Sequence, residues 1–255
     1  MDLNAFRRLL EESEFKPDML KIYPCLVLEG TKIYEWWRRG EYKPYSTETA
    51  VHLVSEVKKF IPPWIRVMRI QRDIPAHLIV DGVKKGNLRE LALERLKSQG
   101  LKCRCIRCRE VGHVIYKEDL RVDEDGLEVR VDFYKASKGE EAFISIVDPS
   151  TDVLIGYLRL RLPSQEAHRE EVKDGTIVRE LHILGFMAPL HQGVPNSFQH
   201  KGWGKTLMEK AEELTVERYD RKKIVVNSGL GVKPYYRRLG YRNDGPYLSK
   251  SLRRY

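Results

Sequence analysis

The spacing of apolar residues divides the sequence into two parts. Up to about residue 115, segments with helical periodicity alternate with short apolar runs of strand length. Helices alternating with strands indicate parallel βα units, but so few strands can neither close a barrel nor complete an open sheet. This part is therefore predicted to be a segment of a larger α/β domain. Its predicted strands are 18–23 and 65–70, and its predicted helices are 4–12, 31–39, 46–61 and 87–99.

Polar and glycine residues mark the ends of these predicted helices. Thr31 and Ser46 are suitable N-caps, and Gly40 ends the first of the two helices that they start. Asn87 and Glu90 have the spacing of a capping box, in which each side chain bonds the other residue's backbone N–H. The starting points of three helices are thus predicted from single residues.

Beyond residue 115 the pattern changes to that of an antiparallel sheet. Residues 127–133 alternate apolar and polar side chains, as a strand with one buried face does, and two further segments repeat this pattern. The two parts are assigned as domains 1–115 and 116–255. The later predicted elements are strands at 141–147, 153–161, 177–184 and 224–226, a helix at 206–218, and a short helix at 234–240 with proline in its first turn.

A glycine-rich segment precedes the longest of these helices. Gly202 and Gly204 free the backbone to turn its N–H groups toward one point, which the positive end of the helix dipole also faces. An anion is expected to bind there, with Lys201, Trp203 and Lys205 beside it. The spacing Gln199-x-x-Gly202-x-Gly204 resembles the pyrophosphate loop of the GNAT-type N-acetyltransferases, whose ligand is acetyl-coenzyme A. An ordinary turn before a helix is the alternative.

The charge is unevenly distributed along the 255 residues, whose net charge is +9. Residues 66–109 contain twelve basic and four acidic side chains, residues 221–255 contain ten and one, and residues 116–220 are net acidic. Two basic blocks favour a polyanionic partner such as nucleic acid. A high content of Lys, Arg and Glu is also typical of thermophilic proteins.

Composition excludes several protein classes. Apolar residues make up 42% and charged residues 33% of the sequence, which is typical of a globular protein. No apolar run approaches the roughly 20 residues needed to cross a bilayer, and the first residues do not have the pattern of a secretory leader. We expect a cytoplasmic location and no membrane partner.

Three of the four cysteines, Cys103, Cys105 and Cys108, are clustered in sequence. Thiolates at this spacing in a reducing compartment suit tetrahedral zinc better than a disulfide framework. A structural zinc site needs a fourth ligand, and Cys25 and His113 are the two candidates. A set of free thiols is the alternative.

Six stretches carry a wider resemblance. They are 17–24, 71–75, 86–92, 179–182, 198–204 and 235–237, and they follow one another along essentially the whole chain. Together they resemble the catalytic subunit of Elongator in its archaeal or bacterial form. That family joins a radical S-adenosylmethionine domain to an acetyltransferase domain. It uses acetyl-coenzyme A to build a carboxymethyl group on the wobble uridine of transfer RNA.

The resemblance implies the fold class and part of the chemistry. The expected fold is α/β and α+β, with a partial radical-SAM-like βα-barrel segment, a cysteine-rich linker and a GNAT-type acetyltransferase domain. The family's Cys-x-x-x-Cys-x-x-Cys iron–sulfur motif and first barrel half are not found in this sequence. Iron–sulfur cluster, S-adenosylmethionine and radical activity are therefore expected only of the full-length enzyme. Self-association or a separate barrel half is an expected partner, and the resemblance also suggests zinc at the three cysteines.

Acetyl transfer requires a bound thioester, a polarised carbonyl and a proton for the departing thiolate. The backbone of Glu180, Leu181, His182 and Ile183 is expected to hold the pantetheine arm and the acetyl carbonyl. Tyr236 is the expected proton donor and cofactor contact, with Tyr235 second, on the basis of the family resemblance. Core packing is the alternative for either tyrosine. His182 and His200 are candidate general bases, although lone histidines are more often packed or surface residues.

Basic residues of the first part are the expected contacts to RNA. They are Arg66, Arg69, Arg72, Lys84 and Lys85, whose side chains would bind phosphates without reading sequence. The leading function is acetyl-coenzyme A-dependent transfer to transfer RNA. A histone-type lysine acetyltransferase and a non-catalytic RNA-binding scaffold are the alternatives, and the first of these would be repelled by its own basic substrate.

Overall fold

The computed structural model describes residues 1–118, 122–185 and 198–253, which form two compact units, Met1–Cys108 and Arg109–Tyr255. The division lies between Cys108 and Arg109, whereas the sequence pattern predicts it near residue 115. Residue 115 lies within a helix of the second unit, Val111–Glu118. Within the described ranges, no helix is both long enough and apolar enough to span a bilayer.

The first unit combines five helices, the last of which spans the division between the units, with two small sheets. Strands β1 and β3 pair in parallel, as the βα pattern predicts, and β2 pairs antiparallel with β4. A short 3₁₀ turn at Ala76–Leu78 leads into β4. The elements are α1 (Asp2–Glu11), β1 (Met19–Ile22), β2 (Val27–Leu28), α2 (Lys32–Arg38), α3 (Thr47–Lys59), β3 (Arg66–Ile70), β4 (Ile79–Asp81), α4 (Leu88–Ser98) and α5 (Ile106–Arg109), which spans the division between the units.

Helices α3 and α4 pack on each other and supply the core that lies against one face of β1 and β3. Leu20 and Ile22 of β1 and Val67 and Ile70 of β3 are all buried in this core. The opposite face of the two strands exposes Met19 and other side chains. The first unit therefore has one buried sheet face and one exposed sheet face.

The ends of the helices follow the sequence at two sites and depart from it at a third. Thr31 Oγ1 accepts a hydrogen bond from the Tyr34 N–H at 3.3 Å, and Ser46 Oγ accepts one from the Thr49 N–H at 3.1 Å. The side chain of Asn87 makes no capping hydrogen bond to α4, so the predicted capping box at this position is wrong. Asn87 has a backbone conformation near φ −103° and ψ 32°, rather than the extended one at Thr31 and Ser46.

The β2–β4 pair is absent from the sequence-based prediction. Each of these strands is three residues or shorter, too short to show a period, and their pairing joins distant positions. Trp37 on α2 donates from Nε1 to Asp81 Oδ2 at 2.8 Å, which ties α2 to the end of β4.

The second unit is built on a seven-stranded sheet with the order β10-β11-β9-β8-β7-β6-β5. Only β8 and β9 pair in parallel, and every other neighbouring pair is antiparallel. The elements are α6 (Val111–Glu118), β5 (Glu128–Ala136), β6 (Gly139–Val147), β7 (Leu154–Leu162), α7 (Glu170–Lys173), β8 (Thr176–Ile183), α8 (Trp203–Glu217), β9 (Lys223–Val226), α9 (Lys233–Arg238), β10 (Arg242–Asp244) and β11 (Tyr247–Ser251).

Burial differs between the edge and the centre of this sheet. In β5 the predicted apolar face is not the buried one, because Val129 and Phe133 are exposed whereas Tyr134 and Ala136 are buried. The central strands β6 and β7 are buried on both faces over most of their length. The one-sided burial predicted for the segments that form β6 and β7 is therefore wrong. Helix α8 packs against β6, β7 and β8 and buries Leu207, Met208 and Ala211.

A tight hairpin joins β5 to β6. Ser137 and Lys138 both adopt positive φ, at 46° and 62°, and Ala136 pairs directly with Gly139. Such two-residue loops usually contain Asn or Gly, because these residues tolerate positive φ best. The sequence Ser-Lys does not give that signal, so the predicted strands stop short of the hairpin on both sides.

Candidate functional site

The glycine-rich segment forms an open helix start. Gly202 is the N-cap of α8, with φ 90°, no side chain caps this end, and a Cβ at Gly202 would meet no atom within 4 Å. The N–H groups of Lys205 and Thr206 donate to the carbonyl of Gly202 at 2.8 and 3.1 Å. The N–H groups of Trp203 and Gly204 precede these bonds and have no helical acceptor. The helix begins three residues before its predicted start, so Gly204 lies in its first turn.

Two buried polar atoms lie at this helix start. Trp203 Nε1 and Tyr235 Oη are both inaccessible to solvent, and neither has a hydrogen-bond partner among the described residues. A Cβ on Gly204 would lie 2.9 Å from Tyr235 Oη, so the absence of a side chain at Gly204 makes room for this hydroxyl. Unpaired buried donors are costly. These two atoms are covered by protein, so the groups that fit a diphosphate are the uncapped N–H groups of the helix start.

The two lysines predicted to bind phosphate are paired with carboxylates. Lys201 Nζ lies 2.6 Å from Glu124 Oε1, and Lys205 Nζ lies 3.4 Å from Glu209 Oε1. These pairs are solvent-exposed, and exposed ion pairs contribute little stability, so a phosphate can replace the carboxylate at small cost. Gln199 is partly buried and His200, at φ 63°, is exposed.

Strand β8 separates from β9 partway along its length. The two strands pair only at Thr176–Val178, and the Asn227 N–H donates to the Val178 carbonyl at 3.0 Å where the pairing ends. Among the described residues, no strand pairs with the later part of β8 on its β9 side. This part includes Glu180, Leu181, His182 and Ile183, whose other edge pairs with β7. Backbone groups along this edge are available to an extended ligand.

A bulge in the β7–β8 pairing redirects one side chain of β8. Arg159 pairs with Glu180 and Leu160 pairs with Val178, so Arg179 is an extra residue on β8. Arg179 Nη2 donates to Glu141 Oε2 at 3.0 Å, and Arg161 Nη1 donates to Glu141 Oε1 at 2.7 Å. The buried Glu141 carboxylate is thereby held between two guanidinium groups.

The Glu180 carboxylate is fixed by three side chains. Arg159 Nε donates to its Oε2 at 2.7 Å, Tyr157 Oη donates to its Oε1 at 2.8 Å, and His182 Nε2 lies 3.0 Å from Oε1. Burial alone raises the pKa of Glu180, but these hydrogen bonds and the charge of Arg159 lower that pKa to about 2. A carboxylate this acidic is a poor general base, so Glu180 is better suited to holding His182 and the strand in place.

Tyr235 and Tyr236 lie on α9 with different surroundings. Tyr236 is 6% exposed and packs edge-on against both Tyr235 and Tyr241, at ring-centroid distances of 5.1 and 6.1 Å. Burial raises the pKa of Tyr236 to about 12, and burial also raises the pKa of Tyr235. Both hydroxyls are therefore protonated at neutral pH, as a proton donor must be before it acts.

The three clustered cysteines converge in the first unit. The Sγ atoms of Cys103, Cys105 and Cys108 all lie within 4.8 Å of one another. Hydrogen bonding from Cys103 lowers the pKa of the Cys105 thiol, and the same contact raises the pKa of Cys103. Three convergent sulfur atoms can hold a metal ion, and sulfur favours a soft one.

Neither predicted fourth ligand belongs to this group of sulfur atoms. Cys25 is exposed and lies beside Tyr42 instead. His113 belongs to the second unit, where its Nε2 is 4.0 Å from Glu110 Oε1 on the preceding turn. The side chain that does approach the sulfurs is Lys58 of α3, which the sequence analysis does not single out.

A bulge in β3 places two of the predicted RNA-contacting arginines, Arg66 and Arg69, on one face. Leu20 pairs with Val67 and Lys21 pairs with Arg69, so Met68 is an extra residue in β3. The bulge brings Arg66 and Arg69 to the same side of the strand, opposite the buried Val67. Lys21 is exposed on this side too, which the period-two pattern of 18–23 could have indicated.

Arg69 and Arg72 each contact a nearby side chain, and the other two predicted RNA contacts follow β4. Arg69 Nη1 is 2.7 Å from Asp73 Oδ2, and the guanidinium of Arg72 lies 5.6 Å from the ring centroid of Tyr23. Lys84 and Lys85 follow β4 and are exposed. We refer to Lys21, Arg66, Arg69 and Arg72 as the basic strand face.

Comparison with known proteins supports this description of both units. Residues 17–98 match the Radical_SAM C-terminal domain, and residues 191–251 match the acetyltransferase (GNAT) domain. A tRNA uridine(34) acetyltransferase of Methanocaldococcus jannaschii is 50% identical over 254 residues, covering 99% of this chain and 47% of that protein. The chain is a homologue of the Elongator catalytic subunit. Elongator complex protein 3 of Saccharomyces cerevisiae is 48% identical and covers 98% of this chain and 45% of its own length.

A solved structure of an Elongator subunit confirms the predicted fold class. The archaeal Elp3 of Methanocaldococcus infernus, with residues 1–46 deleted, superposes with a TM-score of 0.92 at 48% identity. It covers 99% of this chain and 59% of its own. This chain thus spans about half the length of the curated Elongator relatives that it matches.

Sequence reasoning missed the buried residues that contact the site residues Glu180 and the cysteines. Arg159 and Tyr157 hold Glu180, and both lie on the face of β7 that the alternation predicts to be exposed, although that strand is buried on both faces. Lys58 lies between Val57 and Lys59 in a helix, where a lysine ordinarily signals a solvent-exposed face. Both misses arise because local periodicity cannot show that a polar position is covered.

Proposed function

We propose that the second unit binds acetyl-coenzyme A and transfers its acetyl group in the modification of a transfer RNA uridine. The observation that carries the proposal is the uncapped start of α8, where Gly202 opens the backbone and the first N–H groups have no helical acceptor. The names of the curated relatives supply the substrate class. Because those relatives are about twice as long as this chain, activity, substrate and partners are all proposed.

The roles of the chain's own residues follow from their positions. Bound acetyl-coenzyme A supplies a thioester whose acetyl group is transferred as the coenzyme leaves as a thiol. The N–H groups of Trp203 and Gly204 bind its diphosphate, with Gln199, Lys201 and Lys205 at the rim. The unpaired edge of β8 binds the pantetheine arm and hydrogen-bonds the carbonyl oxygen, which withdraws electrons from the carbonyl carbon. Tyr236 donates its hydroxyl proton to the departing sulfur.

Burial of Tyr236 limits what its hydroxyl can do. Its pKa is raised to about 12, above the ordinary value of about 8.5 for a thiol, so the hydroxyl is protonated near neutral pH but is a weaker acid than the thiol. Proton transfer to the sulfur is therefore uphill, and the hydroxyl acts first by donating a hydrogen bond to the negative charge that develops on the departing sulfur. Tyr235, whose hydroxyl lies at Gly204, is better placed to bind the diphosphate than to act as the proton donor. This assigns binding to one tyrosine and proton transfer to its neighbour.

We also propose that zinc occupies the cluster of Cys103, Cys105 and Cys108 and acts structurally. Three sulfurs within 4.8 Å of one another match the ligand type and number of a thiolate-rich zinc site. The basic strand face is the proposed contact for transfer RNA phosphates. We further propose a cytoplasmic location. We also propose that a separate polypeptide segment or a second copy of the chain completes a barrel with the first unit.

Replacement of Tyr236 by Phe tests the acetyltransferase proposal. We expect calorimetry to give the same dissociation constant for acetyl-coenzyme A as in wild type. Release of free coenzyme A in the presence of transfer RNA should fall about 100-fold or more, because general acid catalysis contributes factors of this size. Tyr241→Phe is the matched control, since Tyr241 donates to Glu212 at 2.9 Å and its loss should affect stability rather than turnover.

Two outcomes would contradict the proposal at different levels. Equal turnover in Tyr236→Phe and wild type would remove Tyr236 from the mechanism but leave the cofactor site intact. An absence of acetyl-coenzyme A binding in wild type would overturn the acetyltransferase function of this chain.

A further inference from the structure

Lys58 is a buried lysine whose nitrogen lies among sulfur atoms. It is 0% exposed, near the carboxyl end of α3, and its Nζ is 3.5 Å from Cys103 Sγ and 3.6 Å from Cys108 Sγ. Lysine is almost never fully buried unless it has a partner, because removing its charge from water is costly. Lys58 Nζ contacts these two sulfurs, so this position is tied to the cysteine cluster.

The distances to the sulfurs match those of a tetrahedral metal site. Zinc binds sulfur at about 2.3 Å and nitrogen at about 2.0–2.1 Å. At a tetrahedral angle these bond lengths separate a nitrogen and a sulfur ligand by about 3.6 Å. The nitrogen of Lys58 is at this separation from both Cys103 and Cys108.

We propose that Lys58 supplies the fourth ligand of the metal centre, giving one nitrogen and three sulfur donors. The inference rests on the proposed zinc site and replaces both ligands that the sequence offers, Cys25 and His113. Coordination uses the lone pair of Nζ, so the ammonium proton leaves when the metal enters, together with a proton from each thiol that still carries one. Three thiolates, a neutral amine and Zn²⁺ give the centre one net negative charge.

A fourth ligand from α3 has a structural consequence for the first unit. Lys58 lies on α3, whereas Cys103 and Cys105 follow α4 and Cys108 is in α5. A shared metal therefore joins α3 to the segment after α4 by coordinate bonds. The same α3 and α4 supply much of the core, which includes Val54, Val57, Leu88 and Leu96.

The test uses the full chain loaded with ¹¹³Cd in place of zinc and labelled with ¹⁵N at lysine side chains. We expect one lysine nitrogen resonance to show scalar coupling to ¹¹³Cd and to disappear in Lys58→Arg. Lys58→Arg is the matched variant, because arginine keeps a long cationic side chain. Its guanidinium remains protonated and so does not ligate zinc. Its zinc affinity should fall at least about 100-fold if a ligand is lost.

Lys58→Met provides a second variant that keeps side-chain length without a charge. Circular dichroism of the metal-free variants identifies any that fail to fold, and the coupling measured in wild type does not depend on either variant. A metal-loaded wild type without lysine coupling, together with unchanged zinc affinity in Lys58→Arg, would overturn the Lys58 assignment alone. A wild-type chain that binds neither zinc nor cadmium would overturn the zinc proposal and Lys58 with it.

Discussion

The two units differ in how they bury their sheets and their charges. In the first unit, β1 and β3 have one buried face and one face that exposes Met19, Met68 and Arg69. In the second unit, β6 and β7 are buried on both faces. A sheet covered on both sides holds a cofactor site rigidly, whereas an exposed basic face is suited to a large anionic partner. This contrast agrees with the proposals of a cofactor site in the second unit and of a polyanion contact in the first.

Buried charge shows the same contrast. In the second unit Arg159 pairs with the partly buried Glu180 and Arg161 pairs with the buried Glu141, whereas the buried Asp148 accepts from Ser150 and Thr151. The buried cation of the first unit, Lys58, lies instead beside thiol sulfurs. Ion pairs suit a position that must remain charged and fixed, and sulfur with nitrogen suits one that takes up a metal.

The largest expected effect is on the partly buried Glu180 of the second unit. Its folded pKa of about 2 lies below the ordinary value of 4.5, so its stabilising contribution is fully present above about pH 4.5. That contribution is lost as the pH falls toward 2. Glu180→Gln should lose about 3 kcal/mol at pH 7 and should flatten the pH dependence between 4.5 and 2. Hydrogen exchange of β7 amides across this pH range measures it.

Glu166→Gln is the control for this prediction. Glu166 pairs with Lys138, and both side chains are 70% exposed, so its removal should change stability by less than about 1 kcal/mol. If the two variants showed the same pH dependence, the Glu180 network would not be a source of acid sensitivity.

Gly204→Ala tests whether the open helix start binds the cofactor. Its Cβ would lie 2.9 Å from Tyr235 Oη and would displace that hydroxyl. We expect the affinity for acetyl-coenzyme A to fall about tenfold, which is about 1.4 kcal/mol, by calorimetry. The fold should persist, because alanine favours a helix more than glycine does.

Two further variants separate the steric effect at this helix start from a general effect of replacing glycine. Gly86→Ala adds a Cβ that meets no atom within 4 Å and should bind the cofactor like wild type. Adding Tyr235→Phe to Gly204→Ala removes the crowded oxygen and should recover part of the affinity. Unchanged affinity in Gly204→Ala would argue against a diphosphate at this position.

The basic strand face provides the corresponding test for the first unit. Replacing Arg66 and Arg69 together by alanine should weaken transfer RNA binding several-fold and reduce the salt-dependence slope by about two, because each arginine neutralises about one phosphate. Arg8→Ala is the control, since Arg8 is exposed on α1 and pairs with Glu12 at 2.7 Å. Fluorescence anisotropy at several salt concentrations gives both slopes, and equal slopes would place the RNA elsewhere.

The smallest expected effect distinguishes two helix starts within the first unit. Ser46→Ala removes the hydrogen bond to the Thr49 N–H and should cost about 1 kcal/mol, whereas Asn87→Ala should cost little because Asn87 makes no cap. Hydrogen exchange in the first turns of α3 and α4 measures the two changes. A larger loss at Asn87 than at Ser46 would show that the capping prediction from sequence is correct after all.

Local sequence was sufficient to predict much of this protein. Periods of two and of about 3.6 residues identified the main strands and helices, because side-chain direction follows backbone geometry. Thr31 and Ser46 fixed two helix starts, since each satisfies a backbone N–H within three residues. The spacing of Gly202 and Gly204 indicated an anion site, and the three cysteines indicated a metal, because each set lies within one short segment.

The tertiary structure decided what depends on residues far apart in sequence. It paired β2 with β4 and surrounded Glu180 with Arg159 and Tyr157. It also brought Lys58 to the sulfurs of cysteines that lie 45 and 50 residues later. Periodicity reports the direction of a side chain but not what covers it, so a buried lysine and an exposed one look alike in sequence. Burial and long-range pairing, which set charge and ligation here, are properties of the packed chain alone.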